Sequence, residues 1–109
     1  GAQLRDFCFI SDFVLSIFLC LENTKAFGEV INIGSGNPIS IKDVVLQIQR
    51  IVASGDPQFG EVRYRDGENM KLYADISKAK KLLGWEPKIN LDDGLKKTIS
   101  FMRDISNAR

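Results

Sequence analysis

The sequence contains no histidine, so it lacks both the commonest general base and the commonest zinc ligand of proteins. Its two cysteines, Cys8 and Cys20, lie among apolar residues and do not have the spacing of a metal-binding pair. We expect them to be reduced core residues of a cytoplasmic protein. The longest apolar run, from Phe13 to Leu21, is much shorter than the roughly 20 residues that span a bilayer. No signal-peptide pattern precedes it, so neither a metal site nor a membrane segment is expected.

The sequence also lacks an excess of either charge. Its 15 Lys and Arg residues nearly balance its 14 Asp and Glu residues, for a net charge of +1. This balance does not favour non-specific binding to nucleic acids or to membrane surfaces. With 109 residues, 44% of them hydrophobic and 27% charged, the chain is typical of one small globular domain over residues 1–109. An anionic ligand would have to be recognised by a local arrangement of groups.

Apolar spacing and capping residues predict two helices in the first half of the chain. The first follows Ser11 or Asp12 as its N-cap, and we expect burial of its apolar stripe, Val14, Ile17, Phe18 and Leu21. The second follows Ser40, which resembles a capping box with Asp43. Its apolar face comprises Ile41, Val44, Val45, Ile48, Ile51 and Val52.

Two further helices are predicted in the second half. One covers residues 76–83, between a capping Asp75 and a terminating Gly84. The other begins at Asn90 or Leu91 and is weakened by Gly94 in its first turns. Its inward-facing residues are predicted to be Leu91, Leu95, Thr98, Ile99 and Met102.

Short β-branched or aromatic runs predict strands at residues 5–10, 29–33 and 61–64, the first of them as a strand or an extended segment. Together with the four helices they indicate a small α+β fold. A complete dinucleotide-binding domain would need more strands and a glycine-rich fingerprint.

The chain lacks that fingerprint. Gly34-Ser35-Gly36 lies between a predicted strand and a helix, but Asn37-Pro38 follows in place of a third glycine. We interpret it as a structural turn. Neither Tyr64 nor Tyr73 has a lysine four residues later, so no catalytic residue is predicted.

Two arginines are candidates for binding an anion. Arg5 and Arg65 each lie at the edge of a predicted strand beside an acidic residue, and a guanidinium group suits bidentate binding of phosphate oxygens. The alternative is an ordinary surface ion pair with Asp6 or Glu68. Residue chemistry alone favours the ion pair and leaves anion binding open.

The order of the segments resembles a known family. The segments RDFCFISDFVLSI, GEVINIGSGNPISIKDVV and RDGENMKLYADISKAKKLLGWEPKINLDDGLKKTI are similar to the carboxy-terminal part of the NAD-dependent epimerase/dehydratase family, from Gly1 to about Met102. These extended short-chain dehydrogenases modify nucleotide-activated sugars. The resemblance implies that this chain is a substrate-binding lobe, the fragment of a longer enzyme.

The resemblance also implies roles for individual residues. Arg5, in the R-D-F segment, and Arg65, in the R-x-G-D/E segment, would contact the diphosphate of a nucleotide sugar. Glu68 would contact the ribose, and Gly67 would allow the turn that brings Arg65 and Glu68 to one ligand. Asn32, which begins an N-x-G turn, would lie near the substrate cleft. Val44 or Val45 would help to enclose the nucleotide base.

The partners implied by the resemblance lie outside this sequence. The intact enzyme would be a homodimer whose amino-terminal Rossmann domain carries NAD, or NADP, together with a Tyr-x-x-x-Lys pair. The chain alone would bind no cofactor and would be catalytically inactive. Two alternatives are a stand-alone binding or interaction module and a fragment of an NADPH-dependent sugar-nucleotide reductase. A Rossmann fingerprint and a Tyr-x-x-x-Lys pair in the continuous upstream reading frame would favour the enzyme fragment over the module.

Overall fold

Four α-helices and a two-stranded sheet make up the fold of residues 1–108. The computed structural model describes residues 1–108. In chain order the elements are β1 (Leu4–Arg5), α1 (Ile10–Glu22), a short 3₁₀ helix (Thr24–Ala26), β2 (Ile39–Ser40), α2 (Ile41–Val52), α3 (Ser77–Leu83) and α4 (Leu91–Ala108). The predicted α+β class is confirmed.

The sheet is smaller than the sequence predicts. β1 pairs antiparallel with β2, with Leu4 opposite Ser40, and Leu4 also forms a parallel bridge to Lys71. The predictions of strands at residues 29–33 and 61–64 are wrong, because neither segment forms a strand with backbone pairing to another segment within residues 1–108. A β-branched run becomes a strand only where another strand takes up its backbone hydrogen bonds.

Local capping explains where α2 and α3 begin and end. The Ser40 hydroxyl accepts a hydrogen bond from the Asp43 N–H at 3.1 Å, as the predicted capping box requires. Gly84 adopts a left-handed conformation, with φ of 63°, and its N–H bonds to the Lys80 carbonyl. At the other end of α3, Asp75 lies one residue outside the cap position. Its carboxylate nevertheless accepts the Ser77 N–H at 3.0 Å.

Trp85 is the centre of the hydrophobic core. Its side chain is 1% exposed, and its indole N–H donates to the Asp12 carbonyl at 2.8 Å. The other buried members of this cluster are Ala26, Ile76, Ala79 and Leu83, and both cysteines pack against it. Asp12 therefore does not cap α1, which begins at Ile10. Its carboxylate instead accepts the Ile89 N–H at 3.0 Å and joins α1 to the segment before α4.

Helix α1 turns its polar side inward, so the predicted burial of its apolar stripe is wrong. Asp12 and Ser16 are buried, whereas the four residues of the stripe are between 40% and 70% exposed. The reason is that Asp12 receives hydrogen bonds from the core segment, and this fixes the rotation of the helix. Despite this apolar surface, no helix within residues 1–108 combines the length and hydropathy needed to cross a membrane.

Helices α2 and α4 pack against each other, and the Gln47 side chain donates to the Asp92 carboxylate across their contact. The predicted inward face of α2 is confirmed, with Val44 buried and the other five residues partly buried. In α4 the prediction holds only for Leu91, Leu95 and Ile99, since Thr98 and Met102 are exposed. Gly94 is buried against the Phe9 ring, and a Cβ at this position would lie only 3.2 Å from that ring.

The molecule is flat, with principal extents of 48 × 40 × 21 Å. Its radius of gyration is 16.6 Å, compared with about 13 Å for a compact domain of about 100 residues. So thin a lobe has little interior, which agrees with the exposure of the apolar stripe of α1.

Replacing Trp85 by Ala should lower the free energy of unfolding by about 3–5 kcal/mol, since it empties the centre of the core and leaves the Asp12 carbonyl without its donor. Urea denaturation monitored by circular dichroism measures the change. Phe101→Ala, at an exposed aromatic of α4, is the matched control and should change it by less than about 0.5 kcal/mol. Equal effects of the two substitutions would contradict the assignment of the core.

The exposed apolar stripe of α1 should make the 109-residue chain self-associate in a concentration-dependent way. Phe18→Glu should shift the sedimentation coefficient toward the monomer by placing a charge within the stripe. Val62→Glu introduces the same charge at an exposed apolar residue outside α1 and should leave association unchanged. A monomeric parent chain at all concentrations would contradict this expectation.

Candidate anion-binding site

Asp6 joins three separate segments of the chain. One carboxylate oxygen accepts the Ser35 N–H at 2.6 Å, and the other accepts the N–H groups of Gly36 and Ala74 at 3.1 and 3.2 Å. The end of β1, the glycine turn and the segment before α3 are therefore fixed to one side chain.

The electrostatics of Asp6 favour the ionised carboxylate. Burial alone raises its pKa, but hydrogen bonds from Ser35, Ala74 and Gly36 outweigh that effect and lower the pKa below its ordinary value of 3.8. Donors aimed at a carboxylate stabilise its charged form, so Asp6 is negatively charged near neutral pH.

Gly34 lets the turn approach Asp6 closely. A Cβ at this position would lie 2.5 Å from the Asp6 Oδ2 and 2.8 Å from the Ala74 Cβ. Any larger residue would separate the turn from both neighbours. The glycine is therefore required for close approach.

A cavity of about 440 Å³ lies beside this junction. It is lined by Arg5, Asp6, Asn32, Ile33, Leu72, Tyr73 and Ala74. Arg5 and Asn32, two of the residues proposed for substrate binding, thus face the same space although they are far apart in sequence. Val44 is buried in α2 and is not among the residues that line this cavity.

Glu68 connects the two candidate arginines. Its Oε1 lies 3.2 Å from the Arg5 Nη2, and its Oε2 accepts from the Arg65 Nε and Nη2 at 3.1 and 2.9 Å. We call this group the Arg5–Glu68–Arg65 cluster. The ion pairs with Glu68 that residue chemistry favours are confirmed, whereas Asp6 is engaged by backbone N–H groups instead.

The turn before Glu68 produces this geometry. Gly67 has a φ of 76°, and the Glu68 N–H bonds to the Arg65 carbonyl at 3.0 Å. The left-handed glycine closes the turn and places the side chains of residues 65 and 68 together, as predicted. Arg5 is held separately, because its Nη1 donates to the Leu4 carbonyl at 2.8 Å.

The site is suited to holding an anion and unsuited to cradling a dinucleotide. Two guanidinium groups converge on one carboxylate, the geometry that also binds phosphate oxygens. The N–H groups of Ser35 and Gly36, which a cofactor phosphate would need, already donate to Asp6. The residues at this turn thus do not fit NAD.

Within residues 1–108 no three His, Cys, Asp or Glu side chains are grouped to hold a metal.

Comparison with known proteins gives the family. A sequence model described as GDP-mannose 4,6 dehydratase matches residues 1–98. The chain belongs to this family. The family match agrees with the resemblance to the extended short-chain dehydrogenases that modify nucleotide sugars, and that prediction is confirmed.

Relatives of the GDP-mannose 4,6-dehydratase family agree in sequence and in fold. A UDP-glucuronate 4-epimerase of Thermodesulfobacterium geofontis is 37% identical over 106 residues, which are 95% of this chain and 32% of that protein. The crystal structure of UDP-glucose 4-epimerase with UDP-glucose from Thermotoga maritima superposes with a TM-score of 0.87 at 32% identity, over 96% of this chain and 33% of that one.

A third relative is the UDP-glucuronic acid 4-epimerase of Bacillus cereus, in complex with UDP-glucuronic acid and NAD. It has a TM-score of 0.85 and 34% identity, with 96% of this chain and 33% of that chain covered. The chain thus spans about a third of the length of the family members that it matches.

Sequence reasoning missed Asp6, which it considered only as an ion-pair partner of Arg5. The signal that would reveal its role is not local. Its donors lie 29, 30 and 68 residues further along the chain, and backbone N–H groups leave no mark in the sequence. Gly34, which precedes the donor Ser35, is a local indication of a close approach, because it is a residue without a side chain in a turn.

Asp6→Asn should lower the free energy of unfolding by about 1.5–3 kcal/mol at pH 7, because an amide cannot accept on both of its atoms. The lowered pKa means that the stabilisation is complete above the ordinary pKa of 3.8 and is lost as pH falls through the lower pKa of the folded state. The difference from the parent chain should therefore shrink below about pH 4.

Denaturation at a series of pH values measures this dependence. Asp104→Asn, at an exposed carboxylate on α4, is the control and should change stability by less than about 0.5 kcal/mol. A difference for Asp6→Asn that is the same at pH 3 and pH 7 would contradict a role for the ionised carboxylate.

Proposed function

We propose that this chain is the nucleotide-sugar-binding lobe of an NAD-dependent epimerase or dehydratase, in which Arg5 and Arg65 hold the diphosphate of the substrate. The observation that carries the proposal is the Arg5–Glu68–Arg65 cluster. Two guanidinium groups separated by 60 residues of sequence contact the same carboxylate, and Arg5 also lines a cavity together with Asn32. A nucleotide-sugar diphosphate carries about two negative charges, which two arginines balance.

The surroundings of the cluster support the roles of the other residues. Asn32 lines a cavity with both polar and apolar walls, the combination typical of small-molecule sites. Glu68 is the acceptor that the two arginines share and would meet the ribose hydroxyls. The role of Val44 beside the base stays a prediction. Its side chain is buried in α2 and does not line this cavity.

The chemistry of such an enzyme would come from outside this chain. NAD would supply a transient oxidation of the sugar, and no step of that reaction is assigned to residues 1–108. The proposal for the lobe itself is binding and orientation. The crystal structures of the complexes with UDP-glucose and with UDP-glucuronic acid and NAD support this division, because the lobe corresponds to only a third of each of those chains.

Titration of the ¹⁵N-labelled 109-residue chain with UDP-glucose, followed by NMR, tests the proposal. Binding should be weak, because part of the cleft would be formed by residues outside this chain. Arg5→Ala and Arg65→Ala should each reduce the affinity about 10- to 100-fold, corresponding to the 1.5–3 kcal/mol typical of a charged hydrogen-bonding partner. Arg63→Ala, at an exposed arginine two residues from Arg65, is the matched control and should leave the affinity nearly unchanged.

Micromolar binding that survives both arginine substitutions would contradict the proposal. So would equal losses in Arg63→Ala and Arg65→Ala, because they would indicate a general effect of positive charge. The spectra of the free variants show whether each one keeps the parent fold.

A further inference from the structure

Tyr64 connects the turn that carries Arg65 to the beginning of the chain segment that carries Arg5. Its hydroxyl oxygen accepts hydrogen bonds from the Ala2 N–H at 2.7 Å and from the Gly1 nitrogen at 2.8 Å. Tyr64 immediately precedes Arg65, and Ala2 leads directly into β1. The contact therefore joins the two segments from which the two arginines extend.

A second connection between the same two segments lies at the other end of the turn. The Leu4 N–H donates to the Met70 carbonyl at 2.8 Å, and the Leu72 N–H donates to the Leu4 carbonyl at 3.1 Å. Residues 65–69, which include the turn, lie between the two connections. Without the Tyr64 contact, backbone hydrogen bonds to β1 would hold this loop at one end only.

The position of the Arg65 guanidinium depends on the position of the whole turn. Its side chain is 87% exposed, and the contacts described for it are both with Glu68, three residues later in the same turn. Those contacts move with the turn, so they do not fix Arg65 relative to Arg5. A turn that is anchored at both ends loses less conformational entropy when a ligand orders it.

We infer that Tyr64 is a positioning residue of the anion-binding site, whose hydroxyl holds the turn of Arg65 against the beginning of β1 so that both arginines can reach one diphosphate. The inference rests on the proposed function, because Tyr64 acts through Arg65. It assigns no ligand contact to Tyr64. The Ala2 N–H is the donor that matters most, since it belongs to the backbone that continues into β1.

Tyr64→Phe removes the acceptor and keeps the aromatic ring. The side chain is 47% exposed, so the substitution leaves no cavity in the core. NMR titration with UDP-glucose should show binding about five- to tenfold weaker than that of the parent chain, because the released turn must be ordered on binding. Val62→Ala, at an exposed residue of the same segment, is the matched control and should leave the affinity unchanged. Parent-like affinity of Tyr64→Phe would overturn the inference.

A double-mutant cycle separates positioning from a direct contact with the ligand. In the Arg65→Ala chain, Tyr64→Phe should weaken binding no further, because no guanidinium is left on the turn to be positioned. In the Arg5→Ala chain the loss should persist, because Arg65 still depends on its anchor. Equal losses in the parent chain and in both arginine variants would contradict positioning, since they would indicate an independent contact of the hydroxyl with the ligand.

Hydrogen exchange in the ligand-free chain tests for a general structural role of Tyr64. Tyr64→Phe should leave the N–H groups of Leu4 and Leu72 as protected as in the parent chain, because the second connection does not involve the hydroxyl. The Arg65 Nε–H resonance should also persist, since its acceptor Glu68 lies in the same turn. Faster exchange at Leu4 and Leu72 would overturn the inference, because the hydroxyl would then support the region around β1 as a whole.

Ala2→Pro removes the donor in place of the acceptor, at an exposed residue. It should also weaken binding of UDP-glucose several-fold, and adding Tyr64→Phe to it should cause little further loss. Should Tyr64→Phe not fold, Ala2→Pro still decides the question. Parent-like affinity of Ala2→Pro would then overturn the inference, and a loss that disappears in the Arg65→Ala chain would support it.

The outcomes separate this inference from the proposed function. If the parent chain binds UDP-glucose and the two arginine substitutions weaken that binding, the proposed function holds whatever Tyr64→Phe does. If the parent chain shows no arginine-dependent binding, both fail.

Discussion

The hydrogen bonds of Asp6 are the constraint on which the rest of the site depends. Three backbone N–H groups from two distant segments converge on this one carboxylate, and Gly34 leaves room for them. Because Arg5 precedes Asp6, the same interaction fixes the backbone from which the guanidinium extends. The interaction also occupies the donors of the glycine turn. One carboxylate thus positions the backbone of Arg5, for which we propose diphosphate binding, and occupies the N–H groups that a phosphate at the turn would need.

The dependence on side chains follows from the small sheet. β1 and β2 are two residues long, and so short a ladder cannot hold the segments around a cavity by itself. Asp12 connects distant segments in the same way as Asp6, because its carbonyl and carboxylate join α1 to Trp85 and Ile89. Two buried or partly buried aspartates therefore act as the junctions of a thin lobe. As a consequence, a polar contact sets the rotation of α1, and the apolar stripe of this helix is exposed.

The features that the sequence predicts correctly at the helix ends and at the turn are those that local interactions determine. The Ser40 cap, the Gly84 terminus and the Gly67 turn are each complete within a few residues, so all three are confirmed. The buried face of α1 and the strand at residues 29–33 depend on partners elsewhere in space, and there the predictions are wrong. The meeting of Arg5 with Arg65 is also non-local. Residue chemistry alone favoured separate ion pairs, and the resemblance supplied the reason to expect a common ligand.

The two arginines of the cluster are not equivalent, and the difference follows from their neighbours. Arg5 is shielded and held by the Leu4 carbonyl as well as by Glu68, so its guanidinium is positioned before any ligand arrives. Arg65 is exposed, and the contacts described for its guanidinium are both to Glu68. Such a pair combines a fixed donor with one that can turn toward a ligand entering from solvent.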